Sequence, residues 1–172
     1  MIAWHYTTCV QLEEILQSGK LIPTGAHREP GERPALWFSM NQVWETTATK
    51  EVKLDGGVRY LNSMAKVHKV LGIIRIGVNP VKVRLLGFAS FARKSGISKA
   101  GAASLRDTGR EVGADVYEWR VSFEPIPAEQ WAAIEVRTGE RWEPLSRSEA
   151  AKAVRRVSAA QTSGPLFART KP

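Results

Sequence analysis

The side chains able to do chemistry are few and scattered. His5, His27 and His68 are the three histidines, Cys9 is the single cysteine, and Glu118 and Glu124 sit in the aromatic stretch VYEWRVSFE. An imidazole can relay protons or hold a ligand hydroxyl, a thiolate can attack, and a carboxylate can stabilise growing positive charge. Spacing removes most of these uses. The histidines and Cys9 lack metal-ligand spacing and HExxH is absent, so no metal is expected. No GxGxxG follows a strand-like run, and neither GxxxxGK[ST] nor GxSxG occurs. Cys9 has no base recognisable in the sequence and reads as a partly buried residue in the first turn of a helix. A histidine on a half-buried strand is usually structural, and a glutamate between Tyr and Trp can simply face solvent. Neither His5 nor Glu118 declares a function alone.

Strands must position both. IAWHY (2–6) predicts a strand with Trp4 on one face and His5 on the other. Thr8 and Gln11 form a capping box, Leu12, Ile15 and Leu16 an apolar stripe, and Gly19 a left-handed stop before the extended KLIP. The segment 25–34, GAHREPGERP, is a surface loop, and LWFS (36–39) a short strand. Asn41 predicts the N-cap of a helix running through Trp44 and Ala48, DGG marks a turn, and 62–71 reads as a helix. VLGIIRIGV is the clearest strand, with VKVRLL as its expected partner beyond the Asn79-Pro80 turn. A helix is expected over 98–110 and a strand over 115–123, placing Val116, Glu118, Arg120 and Ser122 on one face. IPAEQW suggests one helical turn and AIEV a final strand. Strands gathered around few helices, without regular β-α-β alternation, predict an α+β domain over residues 1–145. Ser146 and Glu149 make a second capping box opening a basic helix over 146–158, and 159–172 reads as a flexible tail.

Composition sets the class. The 172 residues are 43% hydrophobic and 24% charged, values of globular rather than disordered chains. No apolar run is long enough for a membrane span, the opening MIAWHYTTCV lacks a signal-peptide layout, and one cysteine suits a reducing compartment. A cytoplasmic protein with no membrane partner is expected. Lys and Arg number 25 against 17 for Asp and Glu, a formal charge of +8, which makes DNA or RNA a candidate partner. Much of that charge lies near the C-terminus, at Arg147, Lys152, Arg155, Arg156, Arg169 and Lys171.

Three blocks together resemble the ADP-ribosyltransferase superfamily, and are most similar to its bacterial branch of DarT-like DNA-modifying toxins. HYTT followed by LEEILQSGKLIP (5–23) is similar to an opening "H-[YIG]-T" strand and a helix ending in "I-L-x-x-G-x-L". LWFS-x-N-x-x-W (36–44) supports it, and YEWRVSFEPIP (117–127) resembles a terminal "E-[VW]-x-V-x-x-x-[IV]-P" segment whose strand glutamate is catalytic. The likeness spans residues 2–136, and the longer insertion of the DarT-like enzymes has no counterpart in 50–70. It implies a split mixed or antiparallel sheet core with a few flanking helices, NAD as substrate, and transfer of ADP-ribose to a macromolecule, nucleic acid among the targets, in a bacterial or phage toxin or effector.

The resemblance also implies roles. Glu118 would be catalytic, holding the ribose 2′-hydroxyl and stabilising an oxocarbenium-like transition state; Glu124 ranks second. His5 would act beside it and hydrogen-bond the ribose of the adenosine half. Thr7 would support the nicotinamide side, Ser39 would position the nicotinamide ribose, and Arg28 would meet the phosphates unless it is a solvated loop arginine. His5 and Glu118 are expected side by side across neighbouring strands. Trp37, Trp44, Trp119 and Trp131 are expected in the core, although one aromatic near the site would stack on the nicotinamide. Two alternatives stay open: a catalytically silent nucleotide- or nucleic-acid-binding module on the same fold, and transfer of an RNA 2′-phosphate to NAD, as in the more distant RNA 2′-phosphotransferases.

Overall fold

The computed structural model describes residues 1–24, 29–54, 57–61, 64–146, 148–150 and 152. Strand β1 (Ala3–Thr8) runs directly into helix α1 (Cys9–Ser18). The junction works because the Thr8 hydroxyl accepts from the Gln11 N–H (3.2 Å), satisfying a donor the helix start leaves open. Gly19 closes α1 at φ 65°, its N–H returning to the Ile15 carbonyl (3.1 Å). The α1 stripe packs as its spacing predicts: Leu12 is fully buried, with Ile15 and Leu16 beside the core.

Along the chain follow β2 (Lys20–Leu21), β3 (Leu36–Ser39), β4 (Lys50–Leu54), β5 (Gly57–Leu61), α2 (Met64–Leu71), β6 (Ile73–Val78), β7 (Leu86–Gly87), α3 (Phe88–Lys94) and α4 (Lys99–Glu111). Then come β8 (Trp119–Ser122), β9 (Ile126–Pro127), a single 3-10 turn (Ala128–Gln130), β10 (Trp131–Thr138) and β11 (Arg141–Pro144). Seven strands form one sheet in the order β11-β10-β6-β1-β3-β8-β7, and every ladder in it is antiparallel. β2 pairs with β9, and β4 with β5 as a hairpin. The architecture is mixed α+β with a few helices flanking a mostly antiparallel sheet.

β6 is buried at all six positions, which explains its near-continuous apolar sequence. On the α1 face, Ile74, Ile76 and Val78 pack with Ala3, Leu36, Phe38 and Leu12. On the other face, Trp4, Tyr6, Ile73 and Val67 form one cluster, and Ala35, Phe91 and Val121 another. Each such large side chain contributes about 1.5–3 kcal/mol of transfer free energy.

Several expectations are corrected. VKVRLL does not pair with β6: Val83 N–H bonds Asn79 O (3.1 Å) and Leu85 N–H bonds Pro80 O (2.9 Å), and only its last residue, Leu86, enters a strand, β7, which pairs with β8. The place beside β6 is taken on both sides, by β1 and β10. No helix follows Asn41. Its side-chain oxygen accepts from Val43 N–H (2.9 Å) and Trp44 N–H (3.1 Å), closing a turn that leads into an irregular loop. The strand expected over 115–123 is observed only as β8, because Asp115 folds 115–118 into a turn, its carboxylate accepting from Tyr117 N–H and its carbonyl from Glu118 N–H (both 2.9 Å). Helix α3 and strand β11 were not anticipated.

The Ser146–Glu149 box closes in both directions, Ser146 N–H to Glu149 Oε2 (2.8 Å) and Glu149 N–H to Ser146 Oγ (3.2 Å). Ser148–Ala150 and Lys152 are helical; Arg147 and the remainder of the 146–158 helix, the 159–172 tail and Arg28 lie outside the described residues. Among the described residues no helix is long and apolar enough to cross a membrane.

Candidate active site

The shortest ladder of the seven-stranded sheet marks a seam. β1 pairs with β6 over six residues and β3 with β8 over four, but β1 and β3 share a single ladder pair, Trp4 with Ser39. Beyond that pair the strands part, and a cleft of about 720 Å³ opens, bounded by β1, β3, α1 and the loop that follows β3. Its volume lies in the usual range for small-molecule sites. Because the opening runs through the sheet, its wall takes residues from both faces, among them His5 and Thr7 from one and Trp4, Tyr6 and Ser39 from the other.

His5 bridges the seam. Its Nδ1 lies 2.9 Å from the Trp37 carbonyl oxygen, and its ring tilts against Phe38 at 5.6 Å between centroids. A carbonyl only accepts, so Nδ1 carries the hydrogen in this contact, and Nε2 of the neutral ring is an acceptor. Such a ring can receive a hydrogen bond from a sugar hydroxyl. Thr7 is buried, its hydroxyl donating to Gln11 Oε1 (3.3 Å). Ser39 is also buried, its Oγ accepting from the Asn41 N–H (3.1 Å). Three of the four residues anticipated to bind a cofactor (His5, Thr7 and Ser39) therefore line one cleft.

Glu118 is placed differently from its expectation. It stands at the end of the turn before β8, and β3 lies between it and the strand of His5. The β3–β8 register, extended by one residue, sets it opposite Met40, whose N–H donates to the Glu118 carbonyl (2.8 Å). One intervening strand and a two-residue offset in register separate Glu118 from His5. The half-buried Glu118 is not part of the cleft wall, but its neighbour Trp119 is. Asn41 ties the carboxylate to the site: its Nδ2 donates to Glu118 Oε2 (3.1 Å) while its own N–H reaches Ser39. Glu124 is exposed, within 3.7 Å of the Arg33 guanidinium.

Trp119 Nε1, a buried polar atom of a wall residue, has no hydrogen-bond partner among the described residues, and the buried Tyr6 hydroxyl lies beside the Arg75 guanidinium and the Glu45 backbone. Burial pushes the Tyr6 phenol above its ordinary pKa, partly offset by the neighbouring Arg75 guanidinium. Burial likewise raises the Cys9 thiol, as expected of an inert core cysteine. Of the four tryptophans expected in the core, Trp37 and Trp119 also line the cleft; they meet edge-to-face at 5.9 Å. Trp44 and Trp131 pack against core clusters instead. Sequence reasoning missed Glu45, a buried carboxylate in the cleft wall. It lies in a stretch read as helix, and nothing in its spacing distinguishes it from a solvated glutamate.

Comparison of the chain with family models, curated proteins and solved structures finds no match.

Proposed function

We propose that the cleft between β1 and β3 binds NAD, and that the chain is an ADP-ribosyltransferase-like enzyme that moves ADP-ribose from NAD to a macromolecule. The observation that carries this reading is the seam itself: a sheet that parts at one ladder pair, with His5, Thr7 and Ser39 gathered in the opening. In the reaction, the bond between nicotinamide nitrogen and ribose C1′ breaks, nicotinamide leaving with the bonding pair as a neutral molecule. A nucleophilic oxygen or nitrogen of the acceptor forms the new bond at C1′ and loses its proton. His5 would accept from a hydroxyl of the adenosine ribose, Thr7 and Ser39 would frame the nicotinamide half, and Glu118 would hold the reacting ribose and stabilise its positive charge. The +8 charge of the chain favours a nucleic acid acceptor, and a bacterial or phage toxin or effector is the setting that fits such chemistry.

Incubation with labelled NAD and nucleic acid or cell extract tests the proposal. Wild type should transfer label and release nicotinamide, and Glu118→Ala should lower both by at least about a hundredfold, the scale of losing one electrostatic stabiliser. Equal labelling by the two proteins, or none by either, refutes the enzyme.

One observation favours a second reading. Glu118 is engaged by Asn41 and stands outside the cleft wall, as it would in a silent module that holds a nucleotide or nucleic acid without cleaving it. NAD binding by calorimetry with no nicotinamide released, or salt-sensitive nucleic acid binding independent of NAD, selects that alternative.

A further inference from the structure

The seven-stranded sheet ends at β11, whose outer side is an edge of main-chain groups. Along an antiparallel pair, successive residues alternately bond the neighbouring strand and point away from it. The β10–β11 ladder sets Pro144 opposite Glu135, and one residue on, Leu145 N–H donates to the Ile134 carbonyl (2.8 Å). Leu145, Glu143 and Arg141 therefore bond inward to β10, and the N–H and C=O of Trp142 point outward. No described residue bonds either group. Pro144, the next outward residue, has no N–H to offer.

Alternation sorts the side chains as well. The half-buried Trp142 indole lies on the side of Arg75 and Arg137, whose guanidinium carbons are 4.2 and 5.4 Å from its ring centroid, and it donates to the Val43 carbonyl (2.8 Å). Arg141 and Glu143 stand on the opposite face. Both are exposed, and neither forms an ion pair with a described residue.

We propose that β11 pairs antiparallel with β11 of a second copy of this chain, in the register that sets Trp142 opposite Trp142. Main-chain bonding requires outward residues to face outward residues, which leaves two-fold centres at Arg141, Trp142 and Glu143. Centring on Arg141 or Glu143 sets two like charges face to face, and the latter also needs an N–H from Pro144. Centring on Trp142 lets its N–H and C=O bond those of the other copy reciprocally. It also sets Arg141 opposite Glu143 twice, at the non-hydrogen-bonded positions where side chains approach most closely. Charges on an edge strand ordinarily keep it single; here they match in one register only. β10 and β6 stand between this joint and the cleft strand β1, so the pairing is independent of what the cleft binds.

Sedimentation velocity of the full chain, from micromolar to millimolar concentration, tests the pairing. The edge is short and the association weak, so wild type should pass from monomer to dimer within that range. Glu143→Arg should weaken the dimer at least about tenfold, because both cross-strand pairs change from opposite to like charge. Arg141→Glu should weaken it as much, even though it lowers the +8 charge of the chain and with it the general repulsion between copies. The double exchange Arg141→Glu, Glu143→Arg restores the match and should bring the affinity back to within about threefold of wild type. Circular dichroism should show wild-type folding in all three, since both side chains are exposed. A wild type that stays monomeric throughout overturns the proposal and leaves the edge to another occupant, the chain's own C-terminal segment or a different protein. A dimer unweakened in either single variant, or not recovered in the double one, overturns it too. The wild-type measurement decides even where a variant fails to fold.

Discussion

Arg75 is the buried cation of β6, and removing its counter-charge is a demanding test of how the sheet behind the cleft is held. Its Nε donates to Glu135 Oε2 (2.7 Å) and a terminal nitrogen approaches the same oxygen at 2.5 Å, while Nη1 donates to the Gln42 carbonyl (2.7 Å). The guanidinium lies between Trp4 (3.9 Å to the ring centroid) and Trp142 (4.2 Å). Glu135→Ala leaves a side chain that is 6% exposed with one carbonyl, the Tyr6 hydroxyl and two aromatic faces for compensation. Breaking a buried pair costs about 3–5 kcal/mol. The two surviving cation–π contacts, roughly 0.5–1 kcal/mol each or somewhat more, and the 20% exposure of Glu135 place the expected loss near the lower end, about 3 kcal/mol. For a domain of this size that lowers Tm by roughly 6–12 °C. The double change Arg75→Met, Glu135→Leu removes both charges and their desolvation, and should recover at least half of the loss. Thermal and urea unfolding followed by circular dichroism measure both. A Glu135→Ala protein within about 2 °C of wild type, or a double variant as unstable as the summed singles, would refute the reasoning.

On the NAD reading, Asn41→Asp, which keeps the Oδ1 that closes the 41–44 turn and removes the amide donor to Glu118, should lower kcat for nicotinamide release about tenfold with KM changed less than about twofold; a matched fall in kcat and rise in KM, or no change, contradicts that role. Tyr6 predicts an alkaline limit. Its folded pKa is raised above 10.0, so the stability it confers is fully present below that value and is lost as pH rises from there through the folded pKa. Its phenolate absorbance should therefore appear only together with unfolding, and Tyr6→Phe should abolish that step while costing roughly 1–2 kcal/mol, the scale of losing a hydrogen bond to a charged neighbour, here Arg75.

What could be read from the chain were features whose physics is local. The Thr8 cap, the Gly19 stop and the reciprocal Ser146–Glu149 box each involve groups within four residues. LWFS and the β6 run were legible because burial on a sheet demands such residues. VKVRLL has the same composition as a strand, and what excludes it is the occupancy of both sides of β6, a fact of tertiary structure. Asn41 carries a capping residue's chemistry, but the helix propensity behind it is poor (Thr46, Thr47 and Thr49), and its side chain closes a turn instead. Asp115 shortened the strand of Glu118 by the same kind of side-chain competition. His5, Thr7 and Ser39 were legible as a set because the strands that carry them were. Glu45 was not, since burial of a charge is decided by what folds over it.

The lone bridge between Trp4 and Ser39 has a mechanical meaning. The strands on its two sides are laced by longer ladders and share one apolar core through Leu36, Phe38, Ala3, Ile74 and Ile76. Backbone pairing is thus the sparsest lateral link there, and a ligand bonded to both β1 and β3 would supply cross-links that the main chain leaves out.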